Sequence, residues 1–126
     1  ITVLLMLFIS CYDDPFFDLT IKVQDQELNP VSGALVDVYI VDVNNGDVIQ
    51  SEILGESFHD STESNGEVSF SFQNKALITA RVCYSENGSQ SCAEGHGYLE
   101  ENTNTEIRLM LQSKEINSNI CNYCDD

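Results

Sequence analysis

The chain of 126 residues is poor in several residue types, and its shortage of basic residues excludes one class of function. It has no tryptophan, two prolines and two histidines, and its five basic residues stand against 21 acidic ones, for a formal net charge of −16. A surface this acidic repels phosphate backbones, so the composition excludes nucleic-acid binding through a basic patch. The simplest interpretation of the excess carboxylates is that they keep the protein soluble.

No apolar run is long enough to cross a bilayer, which takes about 20 residues. The longest is the charge-free stretch 1–9, which Ser10 and Cys11 follow. Its length is typical of the hydrophobic region of a signal peptide. Since neither Met nor a basic leader precedes it, we expect that the start of the signal is missing from this sequence.

The order Leu7-Phe8-Ile9-Ser10-Cys11 resembles the lipobox of bacterial lipoproteins, in which the cysteine becomes the lipidated first residue. Phe8 departs from the pattern, which prefers Leu, Val or Ile at that position. The resemblance implies a covalent diacylglyceryl group on Cys11, whose several acyl chains hold a protein firmly at a membrane. The alternative is an N-terminal core strand in which Cys11 is incidental.

Asp13 and Asp14 follow Cys11 closely. Acidic residues at this place resemble the signal by which some Gram-negative bacteria send lipoproteins to the outer surface of the outer membrane. The alternative is a plain polar tether. The expected location is therefore the cell envelope, lipid-anchored at the outer membrane, with cell-surface exposure as one outcome.

From Leu19 onward, apolar residues recur with a period of two, which is the period of a strand. Five stretches show it: 19–24, 36–40, 67–72, 78–84 and 107–111. Three Asn-Gly pairs, at 45–46, 65–66 and 87–88, lie between the apolar stretches, and Asn-Gly is the strongest short hairpin signal. These features predict an all-β fold, an antiparallel Greek-key sandwich of about seven strands, prealbumin-like or immunoglobulin-like.

Two segments of the body are similar to the carboxypeptidase regulatory-like domain, which has a prealbumin (transthyretin-like) sandwich. The first is 23–38, which contains Asn29-Pro30-Val31-Ser32-Gly33-Ala34, and the second is Thr62-Glu63-Ser64-Asn65-Gly66-Glu67-Val68-Ser69-Phe70. In the second, Glu63 replaces the family's Asp, and Val68 replaces an aromatic residue. The resemblance spans roughly 19–111 and implies an accessory binding or structural module without catalysis.

The resulting division of the chain has four parts. Residues 1–10 are the signal-peptide hydrophobic region, and 11–18 are the lipidated cysteine with an acidic tether. Residues 19–112 form the sandwich, and 113–126 form a polar tail that contains two cysteines.

The five cysteines leave four that can pair if Cys11 carries lipid, which suits an oxidising compartment. A two-residue turn at Asn87-Gly88 places Cys83 opposite Cys92 on a non-hydrogen-bonded pair of strand positions. Their Cα atoms would then lie about 4.5 to 5.5 Å apart, within disulfide range. The spacing therefore predicts a cross-strand disulfide between Cys83 and Cys92.

Cys121 and Cys124 form a Cys-x-x-Cys in the tail. A local disulfide or a cross-link that docks the tail is favoured over redox catalysis, since no βαβ pattern surrounds the motif. Zinc binding by the four body cysteines is disfavoured because the hairpin explains the spacing of Cys83 and Cys92. We predict no metal site.

Other candidates for chemistry have weaker patterns. His59 and His96 lack metal-ligand or nucleophile spacing, and the segment 42–47 resembles a calcium loop only superficially, because the EF-hand register is wrong. No Gly-x-Ser-x-Gly or phosphate-binding loop occurs. We therefore predict no catalytic residues and no cofactor apart from the lipid on Cys11.

The sequence thus favours a non-catalytic, lipid-anchored module that binds or scaffolds at the bacterial cell envelope, alone or as a subunit of an outer-membrane or extracellular assembly. Its expected partners are the membrane and a protein or glycan of the envelope. Two alternatives stay open: a small thiol-disulfide redox protein using Cys121 and Cys124, and a filament subunit that exchanges its N-terminal strand.

Overall fold

The computed structural model of the chain describes residues 15–41, 48–49, 58–72, 75–114 and 120–124. Three features of the sequence lie outside the described residues. They are the N-terminal segment 1–14 with the predicted lipid acceptor Cys11, the turn predicted at Asn45-Gly46, and the segment 42–47 with its superficial likeness to a calcium loop.

The described residues form nine strands and one 3₁₀ turn at Asn122–Cys124. The strands are β1 Phe17–Gln24, β2 Leu35–Val41, β3 Val48–Ile49, β4 His59–Ser61, β5 Glu67–Phe72, β6 Ala76–Glu86, β7 Ser89–Leu99, β8 Thr103–Met110 and β9 Gln112–Ser113. The smaller sheet has the order β5-β1-β8. The larger has the order β3-β2-β6-β7-β9, with β4 also pairing with β2.

The predicted all-β sandwich is confirmed, with one difference in strand pairing. Strands β1 and β8 run parallel, whereas every other pair of described strands is antiparallel. An alternating pattern tells which face of a strand is buried, but it does not tell which strand lies beside it. The parallel pair therefore could not be read from periodicity.

The two sheets enclose one apolar core, to which the alternating residues of the central strands contribute. Leu19, Ile21 and Val23 of β1 are fully buried, as are Ile78, Ala80 and Val82 of β6. Each of these sets has period two, so each strand turns one face inward. The opposite faces of both sheets are the two outer surfaces of the sandwich.

Two glycines of β7 let the sheets approach each other closely at one side. A Cβ on Gly95 would lie 2.5 Å from a methyl of Leu109, and one on Gly97 would lie 2.7 Å from a methyl of Ile107. Both contacts are far inside van der Waals range, so a larger residue would force the side chains of Leu109 and Ile107 to shift. The Gly95-His96-Gly97 sequence thus belongs to a continuous strand, in which the glycines face β8.

The Asn87-Gly88 hairpin is confirmed in position and register. Asn87 has φ 52° and Gly88 has φ 81°, the positive values that a type I′ turn requires. Glu86 faces Ser89 across the turn, and the ladder continues outward to the Cys83 and Cys92 pair.

The Asn65-Gly66 pair also forms a turn, but this turn does not close a hairpin. It joins β4 of the larger sheet to β5 of the smaller one. Only Gly66 has positive φ, at 77°. Its backbone lies so close to β1 that a Cβ there would be 2.8 Å from the carbonyl oxygen of Val23.

Thr62 fastens the loop before β2 to the segment before β5. Its hydroxyl donates to the carbonyl of Val31 at 2.6 Å and accepts from the amide of Ala34 at 3.0 Å. Its own amide donates to the carbonyl of Ala34, and the amide of Gly33 donates to its carbonyl, both at 2.9 Å. The two segments that resemble the carboxypeptidase regulatory-like domain are therefore in direct contact through a buried threonine.

Candidate functional site

The outer face of the larger sheet carries cysteines, charged side chains, tyrosines and a histidine. Strand register arranges them in rows across β2, β6 and β7. The rows are, in order along the strands, Leu35/Cys83/Cys92, Asp37/Arg81/Glu94, Tyr39/Thr79/His96 and, on β6 and β7, Leu77/Tyr98. We call this surface the clasp face.

Two disulfides bind the tail to the first row. Cys83 is bonded to Cys124 and Cys92 to Cys121, with Cα–Cα distances of 5.7 and 5.4 Å. We call these four cysteines the clasp. The predicted Cys83–Cys92 disulfide is therefore wrong, although all four cysteines are disulfide-bonded and the predicted cross-strand register is right.

The prediction failed because a strand register fixes which residues are neighbours but does not fix which cysteines bond. It places Cys83 and Cys92 at disulfide distance, but any other cysteine that reaches the same point competes for the same sulfurs. The tail supplies two, and each strand cysteine bonds to one of them. Of the two tail interpretations, a docking cross-link is the one present.

The tail fits the clasp because it makes one tight turn there. The amide of Cys124 donates to the carbonyl of Cys121 at 3.0 Å, and Cys121 has φ 68°. Cys92 and Cys121 are buried, with 3% and 1% of their surface exposed, whereas Cys83 and Cys124 are half-buried. One bridge of the clasp is thus shielded and the other is within reach of solvent.

Arg81 lies directly beside the clasp and contacts both the sheet and the tail. Its guanidinium carbon is 5.2 Å from the ring centre of Tyr39 and 5.1 Å from that of Tyr123, within cation–π range. Its Nε donates to a carboxylate oxygen of Glu94 at 2.7 Å. That hydrogen bond raises the pKa of Arg81 above its usual value and outweighs the opposing effect of burial.

Tyr123 is the tail residue between the two bridges that packs on this arginine. Burial raises the pKa of its phenol, and the charge of Glu94 acts in the same direction while Arg81 opposes it. The neutral phenol is therefore the form that the docked tail favours.

The two histidines lie on the clasp face with different partners. His59 of β4 contacts the carboxylate of Asp37, and Nδ1 of His96 on β7 lies 2.9 Å from the hydroxyl of Thr79. A Ser/Thr–His–Asp triad requires one imidazole to bridge the hydroxyl and the carboxylate. Here the hydroxyl and the carboxylate contact different histidines, so these pairs do not form that arrangement.

An open groove of about 460 Å³ runs between the tail and the adjoining edges of β7 and β8. Its lining combines apolar side chains, namely Leu109, Met110 and Ile120, with the charged Glu94 and Arg108.

Within the described segments, no three His, Cys, Asp or Glu side chains are grouped so that they could hold a metal ion. In the same segments, no helix has the length and apolarity needed to span a bilayer.

The outer face of the smaller sheet has a different character. Thr20 donates to the amide oxygen of Asn104 at 3.2 Å and lies 3.2 Å from the hydroxyl of Ser69. Lys22 pairs with Glu106 at 3.3 Å and with Glu67 at 3.8 Å. Apart from Met110, which reaches the groove, this face is made of polar side chains that bond to one another.

Comparisons with known proteins give a likeness of fold alone. No family model matches the chain, and no curated protein matches it. The crystal structure of 3-chlorocatechol 1,2-dioxygenase from Rhodococcus opacus 1CP is similar, with a TM-score of 0.52 at 10% sequence identity. The match covers 80% of this chain, and the chain spans 61% of the dioxygenase chain. At so low an identity, the activity in that name says nothing about this chain.

Proposed function

We propose that the chain is a lipid-anchored, non-catalytic β-sandwich module that acts in binding or scaffolding at the bacterial cell envelope. Cys11 carries the lipid, and the clasp face is the surface offered to a protein or glycan partner. The module works alone or as a subunit of an outer-membrane or extracellular assembly.

The observation that carries the proposal is the charge-free apolar run 1–9 that ends at Ser10-Cys11. A thiol at this position is the nucleophile that accepts a diacylglyceryl group. The small residue before it gives a peptidase access to the bond. The acidic residues that follow favour delivery to the outer membrane.

The disulfides of the described residues support the same compartment. Two bridges account for four of the five cysteines in the sequence. Disulfides persist in oxidising compartments such as the periplasm and the cell surface. Cys11 is then the one cysteine left for another task, and lipidation is the task its neighbours indicate.

The choice of the clasp face as the contact surface rests on exposed apolar and aromatic side chains. Leu35, Leu77 and Tyr98 all lie on it and are 45%, 37% and 44% exposed. Aromatic side chains next to polar groups that can hydrogen-bond are enriched at recognition surfaces.

Metabolic labelling with an alkyne-bearing fatty acid in the native host tests the anchor. We expect the wild-type protein to be labelled and to sediment with membranes. Cys11→Ser should lose both properties, whereas Ser10→Ala, which keeps a small residue before the cysteine, should retain them. A Cys11→Ser variant that stays labelled and membrane-bound would refute the proposal.

Site-specific photo-cross-linking in intact cells tests the contact surface. A photoreactive residue in place of Tyr98 should capture an envelope component. The same residue in place of Ser71, which is exposed on the smaller sheet, serves as the control. Equal capture from both positions would show that the clasp face has no special role.

The redox alternative receives less support from the geometry. A thioredoxin-like motif works by closing a disulfide between its own two cysteines. Cys121 and Cys124 are each bonded to a strand cysteine instead. The strand-exchange alternative concerns residues 1–10, which lie outside the described residues, and it stays a prediction.

A further inference from the structure

We propose that the clasp is a thiol-exchange site: an external thiolate converts the Cys83–Cys124 and Cys92–Cys121 bridges into Cys83–Cys92 and Cys121–Cys124, which removes the covalent links between residues 121–124 and the sheet without net oxidation or reduction. The co-reactant is a small-molecule or protein thiol that is regenerated at the end. The inference does not depend on lipidation of Cys11.

The first observation is that the backbone already places the cysteines of each new disulfide next to each other. Cys83 and Cys92 are register partners on adjacent strands, where Cα atoms of non-hydrogen-bonded pairs lie about 4.5 Å apart. Cys121 and Cys124 are the ends of one hydrogen-bonded 3₁₀ turn. Each cysteine therefore has its alternative partner beside it, within the distance that a disulfide bridges.

The second observation is the unequal exposure of the two bridges. Cys83 and Cys124 are half-buried, while Cys92 and Cys121 are 3% and 1% exposed. An external thiolate therefore reaches the Cys83–Cys124 bridge first. Access of this kind is one of the factors that decide which disulfide is attacked.

The exchange then proceeds in three balanced steps. The external thiolate attacks Sγ of Cys124, forms a mixed disulfide with it, and expels Cys83 as a thiolate. Cys83 attacks Sγ of the neighbouring Cys92 and expels Cys121. Cys121 attacks Sγ of Cys124 and expels the external thiolate, so two disulfides are present before and after.

Attack on the other exposed sulfur leads to the same end. If the external thiolate bonds to Cys83, the expelled Cys124 attacks Cys121 and frees Cys92. Cys92 then resolves the mixed disulfide on Cys83. Both routes give the same pair of products, because each expelled thiolate finds its alternative partner next to it.

The consequence is a change in what the clasp face presents. After exchange, no covalent bond joins residues 121–124 to β6 or β7. The Tyr123 ring then still packs on Arg81 by a noncovalent contact. Its loss would uncover Arg81 and open the tail side of the groove.

The positions of lysine and arginine allow a direct test. Trypsin cleavage after Arg81, Arg108 and Lys114 places Cys83 and Cys92 in one peptide, 82–108, and Cys121 and Cys124 in another, 115–126. The native bridges join these two peptides. After exchange they separate, each with its own internal disulfide.

The experiment treats the purified protein with reduced glutathione under native conditions, quenches with acid and N-ethylmaleimide, and maps the non-reduced tryptic peptides by mass. We expect the separated peptides, each with an internal disulfide, to rise at least about tenfold over untreated protein. Alkylation of Cys83, Cys92, Cys121 and Cys124 should stay near zero. A joined pair that persists, or separated peptides that carry only free thiols or glutathione, would overturn the proposal.

Paired variants provide the controls. Cys83→Ala with Cys124→Ala keeps only the buried bridge, so its peptides should stay joined under the same treatment. Cys121→Ala with Cys124→Ala should close the Cys83–Cys92 bridge on oxidation. If the second variant keeps two free thiols after oxidation, the strand cysteines cannot pair and the exchange cannot occur.

Discussion

The two outer faces of the sandwich are stabilised by different kinds of interaction. The face of the smaller sheet is held by short polar side chains and ion pairs around Thr20 and Lys22. The clasp face is held by two disulfides and an arginine packed against two tyrosines, and it leaves large apolar side chains exposed. On the smaller sheet, the polar side chains bond to one another. The clasp face is cross-linked and still leaves apolar side chains exposed, as the proposed contact surface requires.

Removal of the clasp should have the largest effect on stability. Replacing Cys83, Cys92, Cys121 and Cys124 with alanine opens two nested loops, with sequence separations of 41 and 29 between their ends. By the chain-entropy estimate, opening the outer loop alone lowers the free energy of unfolding by roughly 4 kcal/mol, and opening the inner loop adds to this loss. Urea unfolding followed by circular dichroism measures it. A loss below about 1 kcal/mol would show that the clasp does not stabilise the fold.

Thr20→Val tests the polar face and should have a smaller effect. The hydroxyl of Thr20 is buried and bonds to Asn104, while Ser69 lies beside it. Since solvent can reach both neighbours, the loss should be about 1 kcal/mol in the same urea experiment. If Thr20→Val lowered the free energy of unfolding as much as the cysteine variant does, the two faces would not differ in how strongly they stabilise the fold.

Two arginines, one on each face, make a matched pair. Arg81→Met removes the contacts with Tyr39, Tyr123 and Glu94, and we expect a loss of about 0.5 to 1 kcal/mol, because the ion pair is more than a third exposed. Arg108→Met removes an ion pair whose arginine is 66% exposed, and it should be nearly neutral. Equal losses would mean that stacking on the tyrosines contributes nothing.

The smallest expected effect concerns Glu106 on the polar face. Hydrogen bonds from Arg108 and Lys22 lower the pKa of this carboxyl below its usual value. A lowered pKa in the folded state stabilises the protein above the unfolded pKa, and this contribution is lost as the pH falls through the folded pKa. A carboxyl titration by NMR should place the inflection of Glu106 below that of a glutamate in an unfolded peptide and shift it upward in Arg108→Gln. An inflection unchanged by that substitution would exclude the assigned cause.

The sandwich and its hairpin could be predicted because local features determine them. Alternation assigns the buried face of each strand, and a type I′ turn at Asn87-Gly88 leaves one register for β6 and β7. The sequence marked Thr62 only as part of a segment that resembles a known family, and it did not predict the contact that Thr62 makes. Its hydrogen bonds join residues about 30 positions apart, and no periodicity encodes them.

The pairing of the clasp cysteines could not be predicted from the sequence either, because it depends on contacts between distant residues. Register showed that Cys83 and Cys92 are neighbours, but only the path of the tail decides which cysteine bonds to which. Four cysteines allow three connectivities. The register favoured the Cys83–Cys92 pair because it considered the two strands without the tail.

The most direct test of the account is the intact mass and N-terminal sequence of the protein extracted from membranes of its native host. The account predicts a mature chain that begins at Cys11, carries acyl groups on that residue and contains two disulfides among Cys83, Cys92, Cys121 and Cys124. A chain that retains residues 1–10 with an unmodified Cys11 would contradict it.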